Sequence, residues 1–272
     1  MADAAPSTLY AFCRGVLERD DLTSKLTPPP ATLQDPPAEP YRIDAPARAA
    51  EIALTAGADK LPRPSQLRDP HARAGCLARF AHHELQAAEL FAWALLRWPD
   101  MPKQLRRGLL DVLADEQRHC RMYLDRLAAL GETLADHPRS GYFWRHAHTL
   151  AAAPGGPRAF LCAMGLTLEQ ANLDFAPLYR DGFAAAGDAE SAAVCDAVHR
   201  DEIRHVRFAS TWLQQLSPGC DDLAAYLASV PFPFAANRAK GRRFDVAARR
   251  DAGLSEAFIE HVRHARSKPS VS

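Results

Sequence analysis

Two short stretches of the sequence, Asp115-Glu116-Gln117-Arg118-His119 and Asp201-Glu202-Ile203-Arg204-His205, share the pattern Asp-Glu-x-Arg-His. In an α-helix, residues three positions apart lie on one face, so each Glu-x-x-His presents an oxygen and a nitrogen ligand to a single point. A lone glutamate precedes the glutamate of each motif at nearly the same distance, Glu84 by 32 residues and Glu169 by 33. The repeat therefore predicts four helices that contribute four carboxylates and two imidazoles to a pair of metal ions.

The sequence around these motifs has the periodicity of four long amphipathic helices. Apolar residues recur at three- and four-residue steps in each segment, and each candidate ligand interrupts the apolar face. An ionised glutamate in such a buried face is very costly unless it is paired or bound to a metal ion. From the prolines, glycines and aspartates at the segment ends, we expect helices over approximately 70–98, 102–130, 157–186 and 188–216. Pro177 should kink or end the third.

The lengths of the connections predict how these helices are joined. Short links connect the first helix to the second and the third to the fourth, whereas a long segment (132–157) connects the second to the third. One long crossover between two helical hairpins is the connectivity of ferritin-like bundles, in which the same ligand set holds two metal ions. The predicted fold is therefore all-α, a ferritin-like four-helix bundle with helical extensions at its N- and C-termini.

The chain outside the bundle differs in composition from the bundle itself. We expect an N-terminal arm over residues 1–68, the bundle over 69–217 and a C-terminal helical extension over 218–272. Prolines clustered between Pro28 and Pro40 prevent regular structure in part of the arm. Further helices are expected over residues 7–22, 46–56, 220–230 and 255–266.

Composition limits the classes of protein to which the chain can belong. Its 272 residues carry 33 basic and 33 acidic side chains, so no global field favours nucleic acid or a membrane surface. The N-terminal residues have no basic start followed by an apolar stretch, so we expect no signal peptide, and no apolar run approaches the roughly 18 residues of a membrane span. Six cysteines without a CxxC pair indicate reduced thiols. We therefore expect a cytoplasmic protein, without a membrane or nucleic-acid partner, whose basic C-terminal residues form a solvated or paired surface.

The candidate ligands suggest how two ions would be held. Four carboxylates balance the charge of two divalent cations, and two imidazoles give each ion one nitrogen ligand. Oxygen and nitrogen ligands without thiolates favour iron or manganese over a structural zinc, so two iron ions, two manganese ions or a mixed pair would fit. The assignment has Glu84 and Glu169 as terminal carboxylates, Glu116 and Glu202 as bridging carboxylates, and His119 and His205 on one ion each.

The aspartate and arginine of each motif have a predicted role around these ligands. Asp115 and Asp201 lie four residues before the motif histidines, so each could accept the free imidazole N–H and fix its tautomer, as partners of metal-bound histidines commonly do. Arg118 and Arg204 follow the aspartates by three residues and could neutralise them. The alternative is a solvated Asp–Arg pair on a helix surface.

Four other polar residues are candidates with simpler explanations. Glu89 and Asp174 each follow a candidate ligand by five residues, which turns them about 140° from the ligand face, so a supporting contact or salt bridge is favoured over ligation. His199 lies three residues before the Glu202 ligand and could add a nitrogen, although partly buried histidines are common. Tyr123 lies on the ligand face. It is either a redox-active phenol or a core residue whose hydroxyl group is hydrogen-bonded.

The helices that carry the ligands also show a family resemblance. Together with the two Asp-Glu-x-Arg-His motifs, the resemblance is carried by His83-Glu84-Leu85-Gln86-Ala87-Ala88-Glu89-Leu90 and Leu168-Glu169-Gln170-Ala171-Asn172-Leu173-Asp174. From about residue 60 to residue 250, the chain resembles a family of uncharacterised bacterial ferritin-like proteins, defined only as a domain of unknown function. That family is distantly similar to the di-iron tRNA hydroxylases, which modify a prenylated adenosine, and to rubrerythrins.

The resemblance implies the same six metal ligands, with one departure nearby. The resemblance leads us to expect an Arg-Gly pair shortly after the glutamate of the third helix, Glu169. This chain has Ala171-Asn172 there. The departure leaves the ligand set intact and puts a shared substrate in doubt.

These observations give one leading hypothesis and two alternatives. The leading hypothesis is a di-iron or di-manganese oxidoreductase that activates O₂ or peroxide, specifically a hydroxylase of an unidentified small-molecule or nucleoside substrate. The alternatives are a ferroxidase or peroxidase and a metal-binding bundle without turnover. The sequence assigns no catalytic residue beyond the ligands and leaves open the electron donor and the oligomeric state, a homodimer included.

Overall fold

The chain is built from α-helices. The computed structural model describes residues 5–55 and 60–266, and this part of the chain contains helices and an isolated parallel bridge between Thr8 and Gln34 but no strand. The predicted all-α class is therefore confirmed. The helices are α1 (Leu9–Glu18), α2 (Leu22–Leu26), α3 (Pro70–Arg97), α4 (Lys103–Ala129), α5 (Ala147–Ala152), α6 (Pro157–Ala163), α7 (Gln170–Ala185), α8 (Ala189–Gln215), α9 (Asp222–Ser229), α10 (Val246–Asp251) and α11 (Glu256–His264).

The four long helical segments appear where the sequence predicts them, with one irregularity. Between α6 and α7 the third segment passes through a π-helical turn, Met164–Glu169. Pro177 lies inside α7, which continues past it to Ala185. Of the two outcomes predicted for Pro177, an end of the regular helix is therefore wrong, and a kink stays a prediction.

The arm is less helical than predicted. The expected first helix over 7–22 is confirmed in its central part by α1, but the expected helix over 46–56 is wrong. Only a 3₁₀ turn, Ala50–Ile52, forms there, and residue 56 lies outside the described residues. In the C-terminal extension, α9 and α11 match the two expected helices, and α10 is additional.

The contacts divide the chain into two compact units. The first unit comprises Met1–Ala151 and Phe183–Val194. Its centre is the packing of α3 on α4, and α3 is buried along most of its length. Helix α1 packs on α3, while α2 packs on both α3 and α4.

The second unit comprises Ala152–Gly182 and Cys195–Ser272. Here α9 packs on α6 and α11, and α10 also contacts α11. Tyr226 of α9 and Phe258 of α11 are fully buried, with ring centroids 4.9 Å apart.

Within the described residues, no helix is both long enough and apolar enough to cross a membrane.

A close helix contact accounts for the glycine in the π-helical turn. A Cβ atom on Gly165 would lie 2.3 Å from the Cβ of Ala209 in α8. We therefore expect Gly165→Ala to destabilise the protein by about 1–3 kcal/mol, the usual effect of overpacking a core. The free energy of unfolding measured by urea denaturation tests this expectation.

Two further variants control for the helix propensity of alanine. Gly15→Ala replaces a glycine of α1 that has open space at the Cβ position, so it should stabilise the protein by up to about 1 kcal/mol. Combining Gly165→Ala with Ala209→Gly removes the clash and should recover most of the lost stability. A Gly165→Ala protein as stable as wild type would refute the packing argument.

Candidate metal centre

The first unit contains a buried triad of two carboxylates and an imidazole. Glu84 projects from α3, and Glu116 and His119 project from α4, one helical turn apart. No more than 7% of any of these residues is exposed, and their ligand atoms all lie within 4.8 Å of one another. The Nδ1 atom of His119 is 3.8 Å from Oε1 of Glu116. This triad, hereafter the first triad, could hold one metal ion.

The second unit contains a triad of the same composition. Glu169 ends the π-helical turn, while Glu202 and His205 lie one turn apart on α8. Nδ1 of His205 is 3.9 Å from Oε1 of Glu169 and 3.9 Å from Oε2 of Glu202. These separations exceed a hydrogen bond but suit ligands of one ion, because two atoms bonded at about 2 Å can lie up to about 4 Å apart. We call this set the second triad.

The π-helical turn is a feature of the second triad that the sequence pattern did not predict. Such turns are rare in proteins, and those that occur are often located at functional sites. In this turn, the hydroxyl of Thr167 donates to the carbonyl of Cys162 at 2.8 Å and lies 3.3 Å from the hydroxyl of Tyr226. The turn thus fixes the backbone that leads to Glu169. No motif in the sequence signals a π turn, although Gly165 inside a helical pattern is a hint.

The charge of each triad explains why a cation fits it. Each triad places two carboxylates in a nearly water-free interior, where uncompensated negative charge is very costly. The two histidines directly before Glu84 supply no positive charge at neutral pH. Burial lowers the pKa of His82 to about 4 and that of His83 to about 3. A divalent cation matches the donor set, since carboxylate oxygens and imidazole nitrogens suit iron and manganese.

The arginines of the two motifs pair with the aspartates. Arg118 contacts Asp115 at 2.6 Å in α4, and Arg204 contacts Asp201 at 2.6 Å in α8. Both pairs span three residues on one helix face. The hydrogen bonds from the imidazoles to these aspartates stay a prediction.

Glu89 binds the N-terminal arm. Its side chain is fully buried and contacts Lys25 Nζ at 3.0 Å and the guanidinium of Arg48. The indole N–H of Trp144 also donates to Glu89, at 2.8 Å. Cations of the chain thus compensate this carboxylate, which makes it a structural anchor and a poor candidate for a metal ligand.

Asp174 is a structural anchor for the C-terminal extension, as Glu89 is for the arm. It accepts two hydrogen bonds from the guanidinium of Arg249, at 2.7 and 3.0 Å, and both side chains are fully buried. The backbone N–H groups of Gly241 and Asp245 donate to it at 2.8 and 2.7 Å. Because arginine binds carboxylates in this forked geometry most tightly, Asp174 fastens the extension to α7.

The remaining candidates have ordinary surroundings. Tyr123 is buried beside Phe80, with ring centroids 5.2 Å apart. His199 is half-buried, three residues before Glu202 on α8. Burial lowers the pKa of His199, so its ring is neutral at pH 7. Neither residue belongs to a triad.

One contact of the second triad involves a residue outside the predicted site. The amide Nδ2 of Asn172 donates to Oε1 of Glu202 at 2.8 Å. Asn172 lies three residues after Glu169 and therefore on the same face of the segment. That spacing is a usable signal in the sequence, since an amide beside a carboxylate ligand is a natural hydrogen-bond donor.

Comparisons with known proteins give a family but no activity. A family model described as a protein of unknown function (DUF455) matches residues 15–260. No curated protein and no solved structure matches the chain.

Proposed function

This chain belongs to the DUF455 family of proteins of unknown function, and from that premise we propose that it is a dinuclear iron or manganese oxidoreductase. The proposed architecture is a ferritin-like bundle in which the first and second triads together hold both ions. The resemblance to rubrerythrins and di-iron tRNA hydroxylases described above is the basis for the activity. The reaction we favour is hydroxylation of a small-molecule or nucleoside substrate.

The observation that carries the proposal is the repetition of one buried ligand set. Each triad has two carboxylates and an imidazole, with a Glu-x-x-His motif on one helix and a glutamate on the helical segment before it. Charged residues that only form a solvated surface have no reason to be buried, and no reason to form two buried sets of the same residue types. Four carboxylates would neutralise two divalent cations, which gives a physical reason for their burial.

The protein's own part would be to hold the ions and keep water away. Bound iron or manganese would supply the redox chemistry, as metal cofactors do in general. Hydroxylation with O₂ places one oxygen atom in a C–H bond and reduces the other to water, which consumes two electrons and two protons from a donor. With peroxide, hydroxylation needs no donor. Buried apolar side chains at helical spacing from the ligands, such as Leu113 three residues before Glu116 and Leu173 four residues after Glu169, would keep the reacting centre dry.

Loading with iron under anaerobic conditions tests the function. The metal-free protein should bind two Fe(II) ions per chain, and mixing with O₂ should then consume O₂ and change the near-ultraviolet absorption. Iron uptake well beyond two ions would indicate storage instead. Binding of two ions without any reaction with O₂ or peroxide would indicate a non-catalytic metal protein, and no binding would refute the proposal.

A further inference from the structure

The two oxygens of Glu202 have different neighbours. Oε1 accepts the 2.8 Å hydrogen bond from the side-chain amide of Asn172, which crosses from α7 to α8. Oε2 faces Nδ1 of His205 at 3.9 Å. The carboxylate is 1% exposed, so bulk water does not compete for either oxygen. The hydrogen bond therefore fixes which oxygen points toward the imidazole.

The position equivalent to Asn172 differs in the first triad. Asn172 lies three residues after Glu169, and the residue three positions after Glu84 is Ala87, which is buried and has only a methyl group. A methyl group cannot donate a hydrogen bond. The two triads thus share their ligand types but differ at the position from which an amide orients the motif glutamate.

The choice of an amide is consistent with metal binding. Structural carboxylates in this chain are bound by cations, Glu89 by Lys25 and Arg48, and Asp174 by Arg249. Those cations cancel the negative charge that a metal ion would need. An amide is a donor without net charge, so Asn172 can orient Glu202 and leave its charge available.

We propose that Asn172 is a positioning residue that turns Oε2 of Glu202 toward the ion held with His205, so that the second triad binds its ion more tightly than the first. This inference rests on the proposed metal-binding function. A carboxylate held in one orientation loses less side-chain entropy when an ion binds. Partners that orient metal ligands commonly contribute a factor of about 10–100 in affinity.

Titration of the metal-free protein with Co(II) tests the role of Asn172, because the visible spectrum of Co(II) reports its coordination. Wild type should bind two ions with unequal dissociation constants. Asn172→Leu keeps the branched shape of the side chain without the donor, and Asn172→Ala removes the side chain beyond the Cβ atom. In both variants the tighter constant should rise about 10- to 100-fold, and the spectrum of that ion should change.

A matched variant separates this role from a general effect on α7. Leu178 is half-buried on the same helix, and Leu178→Ala should leave the tighter Co(II) constant and the spectrum unchanged. Two equal constants in wild type, or Asn172 variants that titrate and absorb like wild type, would overturn the inference and leave the proposed function standing. Wild type that binds no Co(II) would overturn both.

Discussion

Glu116→Ala and Glu202→Ala are each expected to yield protein that purifies without either metal ion. We propose that these two carboxylates bridge the ions, so the loss of one removes a ligand from both ions and a negative charge that separates them. Removing a shared ligand should therefore empty the centre, whereas removing a terminal one should not. The measurement is the metal content per chain by elemental analysis after aerobic purification.

The control is a glutamate of the exposed surface. Glu39→Ala should retain the wild-type metal content, since the side chain of Glu39 is exposed in the arm. Retention of one ion in Glu116→Ala or Glu202→Ala would show that the altered residue is a terminal ligand. Retention of two ions in both variants would contradict the assignment of these residues.

Metal loss can be separated from unfolding by thermal denaturation with and without a chelator. A ligand present at 100 times its dissociation constant stabilises a folded protein by about 2.7 kcal/mol. Wild type should therefore lose stability when the metal is removed, and Glu116→Gln should not respond. In the metal-free state, Glu116→Gln should be at least as stable as wild type, because it removes one of two neighbouring buried carboxylates.

Arg249→Met is expected to reduce the free energy of unfolding by about 3–5 kcal/mol, the largest stability effect that we predict. The substitution leaves Asp174 buried without its guanidinium, and an uncompensated buried charge is the main cost of breaking such a pair. Urea denaturation followed by circular dichroism measures the effect. Arg249→Lys, which keeps the charge but lacks the forked geometry, should fall between wild type and Arg249→Met.

The neighbouring arginine provides the matched control. Arg250 pairs with Glu256 at the surface, where the side chains are 58% and 64% exposed. Exposed ion pairs contribute about 0–1 kcal/mol, so Arg250→Met should be close to wild type. Equal stabilities of the Arg249→Met and Arg250→Met proteins would show that the buried pair does not fasten the extension.

The sequence is most informative where the pattern is local. The Glu-x-x-His motifs need only the three-residue periodicity of a helix, so the sequence alone pairs both histidines with their glutamates. The long helices follow from apolar periodicity and from residues that favour helix ends. Three of the four continue without interruption between their ends, and those ends lie within a few residues of the predicted positions.

The sequence is least informative where the contacts join distant segments. Lys25 meets Glu89 from 64 residues away, and Arg249 meets Asp174 from 75 residues away, so no local spacing marks either pair. The predicted helix over 46–56 fails because a proline at a favourable first position does not by itself supply helix-forming contacts. Residues 50–52 form a 3₁₀ turn whose Ile52 is buried by tertiary packing.

The irregular turn before α7 has a consequence for comparing this chain with its relatives. A π turn is an α-helix that has accommodated one additional residue, and each residue of a helix changes the direction of side chains by about 100°. The direction of Glu169 therefore depends on how many residues separate it from the start of α6, more than on which residues these are. A relative that lacked one residue in this interval could keep every ligand and still point this carboxylate elsewhere.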